Sequence, residues 1–153
     1  MKLSRDDIRF GLLPLIARVL LILEFLIAVN GKISDWPGQA QYMAAHGMRL
    51  IPPLLGAALV IEALGSLCLA LGLWSRVAAA VLFVYLGIVS VTLHDFWNQT
   101  GMAAGGNMTQ FFKNVGMMGG LLMVAAYGAG TWSLDWLRMQ RRARPAAPSY
   151  ERT

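Results

Sequence analysis

The stretch HDFWNQTGMAAGGNMTQFFKN, residues His94 to Asn114, lies between two long apolar runs, and the reading of those runs decides the fold. It holds one of the chain's two histidines, the aromatic pairs Phe96-Trp97 and Phe111-Phe112, and Lys113 at the start of a hydrophobic segment. Such groups at such a border either anchor the chain at a lipid–water boundary or line the mouth of a site among helices. The runs on either side, Val77 to Leu93 and Val115 to about Thr131, can each cross a hydrocarbon core of about 30 Å at 1.5 Å per residue. The Gly/Asn/Thr-rich stretch between them reads as a loop.

Working outward, two more runs of the same kind appear at residues 12–30 and 54–73, the second opened by Pro52-Pro53, which a first helical turn tolerates. The first carries Arg18 and Glu24 and is followed by no small-residue cleavage site, so it reads as a retained helix and not a signal peptide. Of the 153 residues, 57% are hydrophobic and 14% charged, which places the chain with membrane proteins. A net charge of +5 raises nucleic acid as a partner, but the basic residues gather at the C-terminus and in short connections, so no nucleic-acid partner is expected. The single cysteine, Cys68, rules out an intrachain disulfide, a CxxC redox pair and a cysteine-rich metal site.

The expected fold is all-α: an integral-membrane four-helix bundle with spans at about 12–30, 54–73, 77–93 and 115–131. Lys2, Arg5, Arg9, Arg76, Arg138, Arg141, Arg142, Arg144 and Arg152 fall on one side, and Lys32, Arg49 and Lys113 on the other. The positive-inside rule then puts both termini in the cytoplasm. Residues 1–137 form the transmembrane domain, and 138–153 read as a basic, disordered cytoplasmic tail near anionic headgroups. Between the first two runs, Trp36-Pro37-Gly38 signals a turn, and Gln39 to His46 a short interfacial helix. The sequons at Asn98 and Asn107 are treated as chance matches.

Helical spacing sorts the polar residues by face. Arg18, Phe25 and Lys32 share one stripe of the first span, with Glu24 on another. Gly87, Ser90 and His94 align in the third span, and Lys113, Gly116 and Gly120 in the fourth, where Gly116-xxx-Gly120 allows close helix approach. The stripe of the third span should face protein, and Lys113 should point into the bundle. Because helical side chains lean toward their own N-terminus, Lys32 and His94 lean into the membrane from the outer side, and Glu62, about 12 Å deep, leans toward them. Glu62 is therefore neutral, paired with Lys32, Lys113 or His94, or open to a polar cavity. An outward-facing polar pocket in the outer half of the bundle follows.

The same residues resemble the DoxX family of small bacterial four-helix membrane proteins. The matching pieces are Arg18, Gly31-Lys32, Tyr42, Gly47, Glu62 within Ile-Glu-Ala-Leu-Gly, Gly72, Arg76, His94-Asp-Phe-Trp97, Phe112-Lys-Asn114, Gly119-Gly-Leu-Leu122 and Gly128-Ala-Gly-Thr-Trp-Ser-Leu-Asp135. Glu24 and His46 are not part of that pattern. The resemblance implies a multi-pass protein of the bacterial cytoplasmic (inner) membrane, in some members linked to quinone-dependent respiratory or sulfur-compound oxidation. It implies no single reaction.

The reading these observations favour is a quinone-linked oxidoreductase subunit. Glu62 and His94 are the candidate catalytic groups, with His94 able to transfer a proton. Lys32, Ser90, Trp97, Lys113 and Asn114 are candidate ligand contacts, and Arg18 and Arg76 structural polar residues. Quinone is the one cofactor considered. No haem, flavin, nicotinamide, iron–sulfur or metal motif is present, so electrons would come from a redox partner protein or the substrate. The alternatives are a non-catalytic membrane module that stabilises or recruits a partner protein, and a small-molecule carrier, which with four helices would need a homo-oligomer.

Overall fold

A computed structural model describes residues 4–143. Six helices account for most of them: α1 (Arg5–Ser34), α2 (Trp36–Ala45), α3 (Ile51–Leu71), α4 (Ser75–Leu93), α5 (Gly101–Tyr127) and α6 (Leu134–Ala143). Segments Arg5–Ser34, Ile51–Leu71 and Ser75–Asn98 are long and apolar enough to cross a membrane. Gln110, Lys113, Asn114 and several glycines keep α5 below that measure, although at 27 residues it is long enough to span.

The four long helices alternate in direction. Lys32 of α1 meets Glu62 of α3 near one end, while Arg18 meets Leu69 at the other. Tyr85 of α4 likewise meets Glu62, and Asn114 of α5 meets Ser90 of α4. The core lies along the shared axis, in Ile22 and Phe25 of α1, Leu69 of α3, Ala79, Leu82 and Leu86 of α4, and Leu121 and Val124 of α5. Outward faces carry Leu20, Ile27, Leu64, Val84 and Leu122, all exposed, and these face the lipid bilayer.

Several boundaries differ from the sequence reading, each for a local reason. α1 begins at Arg5, not near residue 12, because Ser4 and Asp7 form a reciprocal cap and the helix then widens by one turn at Ile8–Leu12. Pro14 explains the widening. It has no N–H for the carbonyl four residues earlier and its ring crowds that carbonyl, so Phe10 O turns aside and accepts Thr131 N–H at 2.6 Å.

The stretch read as a loop between the third and fourth runs is mostly helix. After a single 3₁₀ turn at Phe96–Asn98, α5 starts at Gly101, 14 residues before the expected Val115, and ends at Tyr127 rather than Thr131. Met102, Ala103, Ala104 and Met108 favour helix, and Phe111 packs edge-on against Phe96 and Trp97, so packing outweighs the glycines. Gly128 and Gly130, just past its end, have φ of 85° and 81° and stop the helix.

The helix α6 continues to Ala143, past the boundary expected at residue 137; residues 144–153, the remainder of the basic tail, lie outside the described residues.

α3 closes with the paired bonds Leu73 N to Cys68 O (2.8 Å) and Gly72 N to Leu69 O (3.2 Å), the left-handed residue being Gly72 at φ 61°. α4 starts immediately after, and its first amides are capped from another element. Asp135 at the head of α6 accepts Trp74 N–H at 2.8 Å, Ser75 N–H at 2.9 Å and the Ser75 hydroxyl at 2.6 Å.

Candidate functional site

At the end of the bundle away from both chain ends, helices α1 and α3–α5, roofed by α2, surround a cavity of about 300 Å³. Its wall is mostly apolar, with Phe25, Leu55, Ile61, Leu86, Val89 and Met117 among its members. α2 can roof it because Asp35 caps that helix, accepting Gly38 N–H at 3.0 Å, while Met43 is buried beneath.

The strongest polar feature is a triad in the wall. Glu62 is 4% exposed, and its carboxylate accepts Lys32 Nζ at 2.8 and 2.9 Å and the Tyr85 hydroxyl at 2.6 Å. Each partner comes from a different helix, so the three close only when α1, α3 and α4 are packed. A carboxylate and an ammonium so far from water are tolerable because each satisfies the other and the tyrosine uses a remaining lone pair. Of the options the sequence left open for Glu62, the pair with Lys32 is the one formed.

Five of the seven residues singled out for chemistry line this cavity: Lys32, Glu62, His94, Lys113 and Asn114. Ser90 stands behind the wall, fully buried, donating to Leu86 O at 2.6 Å and accepting Asn114 Nδ2 at 3.1 Å. It positions Asn114 instead of meeting the cavity. Trp97 is outside the lining and 53% exposed, packed in the aromatic group of Phe96, Phe111 and Phe112. The third-span stripe does face protein: Ser90 is buried and the site a Gly87 Cβ would occupy lies 3.6 Å from Met118.

Lys113 reaches the edge of the cavity and pairs with Glu24 at 2.9 Å, both side chains well exposed. It therefore lies at the bundle's margin, not inside it. Glu24, which has no place in the family pattern, is thus a cavity residue. Tyr85, Tyr42 and Asn107 are given no site role by the sequence, Tyr42 entering only through the family pattern and Asn107 only as a sequon. Tyr42 donates to Leu93 O at 2.7 Å and contacts Asn107 Oδ1 at 3.0 Å, and the His94 ring nitrogen Nδ1 lies 3.4 Å from that same oxygen. His46 sits beside them, 3.7 Å from Asp95 and 3.4 Å from Gln99. Burial and the nearby Asp95 raise the Tyr42 hydroxyl above the ordinary tyrosine value, so it stays a donor at neutral pH.

Arg18 and Arg76 lie at the opposite end. Arg18 is 1% exposed and donates to Leu69 O (2.9 Å), Ala70 O (3.3 Å) and Trp132 O (2.7 Å). The first two carbonyls belong to the last turn of α3, where a cation complements the helix dipole. Arg76 is exposed beside Gly128.

With this arrangement in view, comparison with known proteins gives a family. The DoxX family model matches residues 13–95. The chain belongs to the DoxX family. It is 38% identical over 125 residues to the inner membrane protein YphA of Escherichia coli, covering 80% of this chain and 88% of that one. The inner membrane protein YqjF of the same organism is 31% identical over 123 residues, covering 80% and 89%. The ER-derived vesicles protein ERV29 of Saccharomyces cerevisiae is 25% identical over 132 residues, which are 86% of this chain but only 36% of that protein. No solved structure matches. This DoxX-family chain is an inner-membrane protein, and the family match contains both the Lys32–Glu62–Tyr85 triad and Arg18.

Proposed function

We propose that this DoxX-family protein is a quinone-linked subunit of the inner membrane. It spans four times with both ends in the cytoplasm, and its cavity takes the headgroup of a quinone-like amphipathic molecule. The buried triad of Glu62, Lys32 and Tyr85 in the wall of an otherwise apolar cavity carries the reading. Small-molecule sites are concave, mostly apolar and fitted with a few convergent polar groups, and about 300–1,000 Å³ is their usual volume. The orientation rests on Arg5, Arg9, Arg76, Arg138, Arg141 and Arg142 at the end of the termini against Lys32, Arg49 and Lys113 at the other.

Reduction of a quinone to a quinol takes two electrons and two protons. The Tyr85 hydroxyl, which rests as a donor to Glu62, turns to donate to one carbonyl oxygen. Glu62 takes up a proton from the aqueous side and returns it to the tyrosine, with Lys32 offsetting the carboxylate charge, and His94 delivers the second proton to the other oxygen. His94 and Lys113 line the cavity and contact the second oxygen. A redox partner protein or the reduced substrate supplies the electrons.

The same triad also favours a second reading. Both oxygens of Glu62 are satisfied within the protein, as a purely structural lock requires, and a non-catalytic module that presents its loops to a partner would look the same at this site. Mass spectrometry of quinones and lipids retained by the purified protein separates them, with Glu62→Gln and Tyr85→Phe compared at equal folded yield. Stoichiometric quinone in the wild type, reduced in both variants, supports the redox site. No quinone in any sample favours the structural module.

A further inference from the structure

A second, larger cavity of about 1160 Å³ opens at the other end of the molecule, among α1, α4, the 128–133 connection and α6. Four guanidinium groups reach it from three helices: Arg9, Arg76, Arg138 and Arg142. Among the described residues none of the four is in an ion pair; the pairs present are Lys32–Glu62, His46–Asp95 and Lys113–Glu24. The one acid in the lining is Asp135, and three hydrogen bonds from Trp74 and Ser75 occupy its carboxylate. Four guanidiniums therefore face a single carboxylate, and positive charge is in excess in a concave site. Such a potential favours an anionic ligand.

The remaining wall sets the rest of the ligand. Trp74, Val77, Met123, Tyr127, Trp136 and Met139 supply apolar and aromatic surface beside the arginines. The Arg138 guanidinium lies 5.8 Å from the Trp74 ring centroid, held over its face and not at an acid. α6 places Trp136, Met139 and Ala143 on one face and Arg138, Arg141 and Arg142 on the opposite one, the pattern of a helix lying in a membrane interface. A small soluble anion would use the guanidiniums and leave the apolar wall unoccupied. A phospholipid uses both, its phosphate on the arginines and its chains along the wall.

We propose that this cavity is a binding site for an anionic phospholipid of the cytoplasmic leaflet, the phosphate held by Arg76 and Arg138 with Arg9 and Arg142 completing the charge. Basic pockets between membrane helices on the cytoplasmic side bind such headgroups, and a lipid with two phosphates matches four guanidiniums best. The site is separate from the triad cavity and needs no redox activity.

The test is lipid titration of the delipidated full-length protein in a zwitterionic detergent, followed by thermal stability and by native mass spectrometry. Cardiolipin, phosphatidylglycerol, phosphatidylcholine and inorganic phosphate are the probes. Saturable stabilisation and retained lipid with cardiolipin and phosphatidylglycerol, weakened about tenfold or more in Arg76→Gln/Arg138→Gln, is the expected result. The exposed Arg49 at the opposite end supplies the control, and Arg49→Gln should bind as the wild type does. The proposal is overturned by equal stabilisation with phosphatidylcholine, by inorganic phosphate acting as well as lipid, or by Arg49→Gln losing as much as the double variant. Should Arg76→Gln/Arg138→Gln fail to fold, Arg9→Gln/Arg142→Gln carries the same comparison.

Discussion

Glu62 shows how a single buried charge constrains its neighbours. Removing Lys32 alone leaves the carboxylate with only the Tyr85 hydroxyl in an apolar wall, and stranding a buried charge costs about 3 kcal/mol. Lys32→Met is therefore expected to lower stability by that order, and Lys32→Met/Glu62→Gln to recover part of it, because the double variant buries no net charge. Denaturant unfolding in micelles measures the cycle, and strict additivity of the two single losses would contradict direct coupling. The lean of helical side chains places Lys32 among the partners that the sequence offers Glu62, beside Lys113 and His94, and packing selects it. Tyr85 escaped because one tyrosine among Val81, Leu82, Phe83 and Val84 adds to an apolar run without interrupting it. The signal was its face: residues 82, 85, 86 and 89 form one stripe, and Leu82 and Leu86 are core. Glu24 was correctly placed off the Arg18–Phe25–Lys32 stripe, but its partner Lys113 is 89 residues away, and no local pattern encodes that meeting.

Among the elements, α5 and α6 departed most from expectation. Gly105 and Gly106 suggested a loop, yet they sit in an α-helix whose stability comes from packing by Phe111 and neighbouring turns. Where glycine is tolerated without being required, alanine should be better. A Cβ at Gly106 would meet nothing within 4 Å, so Gly106→Ala is expected to stabilise by about 0.5–1 kcal/mol, seen as a higher Tm. An unchanged or lower Tm would mean that this turn is not helical in the membrane. α6 contributes Asp135, whose burial pushes the carboxyl up while hydrogen bonds from Ser75 and Trp74 pull it down further. It rests below the ordinary aspartate value of 3.8. With the folded value below the unfolded one, this cap contributes fully above the unfolded value and is lost as pH falls through the folded one. Stability of the wild type should therefore drop on acidification below about pH 4, whereas Asp135→Asn starts lower at neutral pH and loses less over the same range. Unfolding midpoints between pH 3 and 7 give both curves, and parallel curves would remove Asp135 from the account.

For the whole molecule, polarity is divided between two ends. The end away from the termini holds a small cavity with a neutralised triad, and the end with the termini holds a larger one crowded with arginines. Topology fusions test the orientation this implies: a fluorescent reporter at the C-terminus should fluoresce and an alkaline phosphatase there should be inactive, with the reverse at the α2–α3 connection. The all-helical class, the membrane and three spanning segments were legible from hydropathy and from where lysine and arginine fall. Element ends were not, because capping by Asp135 from another helix and the turning aside of Phe10 O above Pro14 depend on residues distant in sequence.

The buried guanidinium of Arg18 also sets an order on biogenesis. Two of its acceptors, Leu69 O and Ala70 O, leave the ribosome early, but the third, Trp132 O, is 114 residues downstream. Until that carbonyl is synthesised, α1 waits in the bilayer with its deepest cation incompletely satisfied. The 128–133 connection is in this sense the clasp that closes the bundle, and a nascent chain halted before it is an unfinished protein even though α1, α3, α4 and α5 have already been translated.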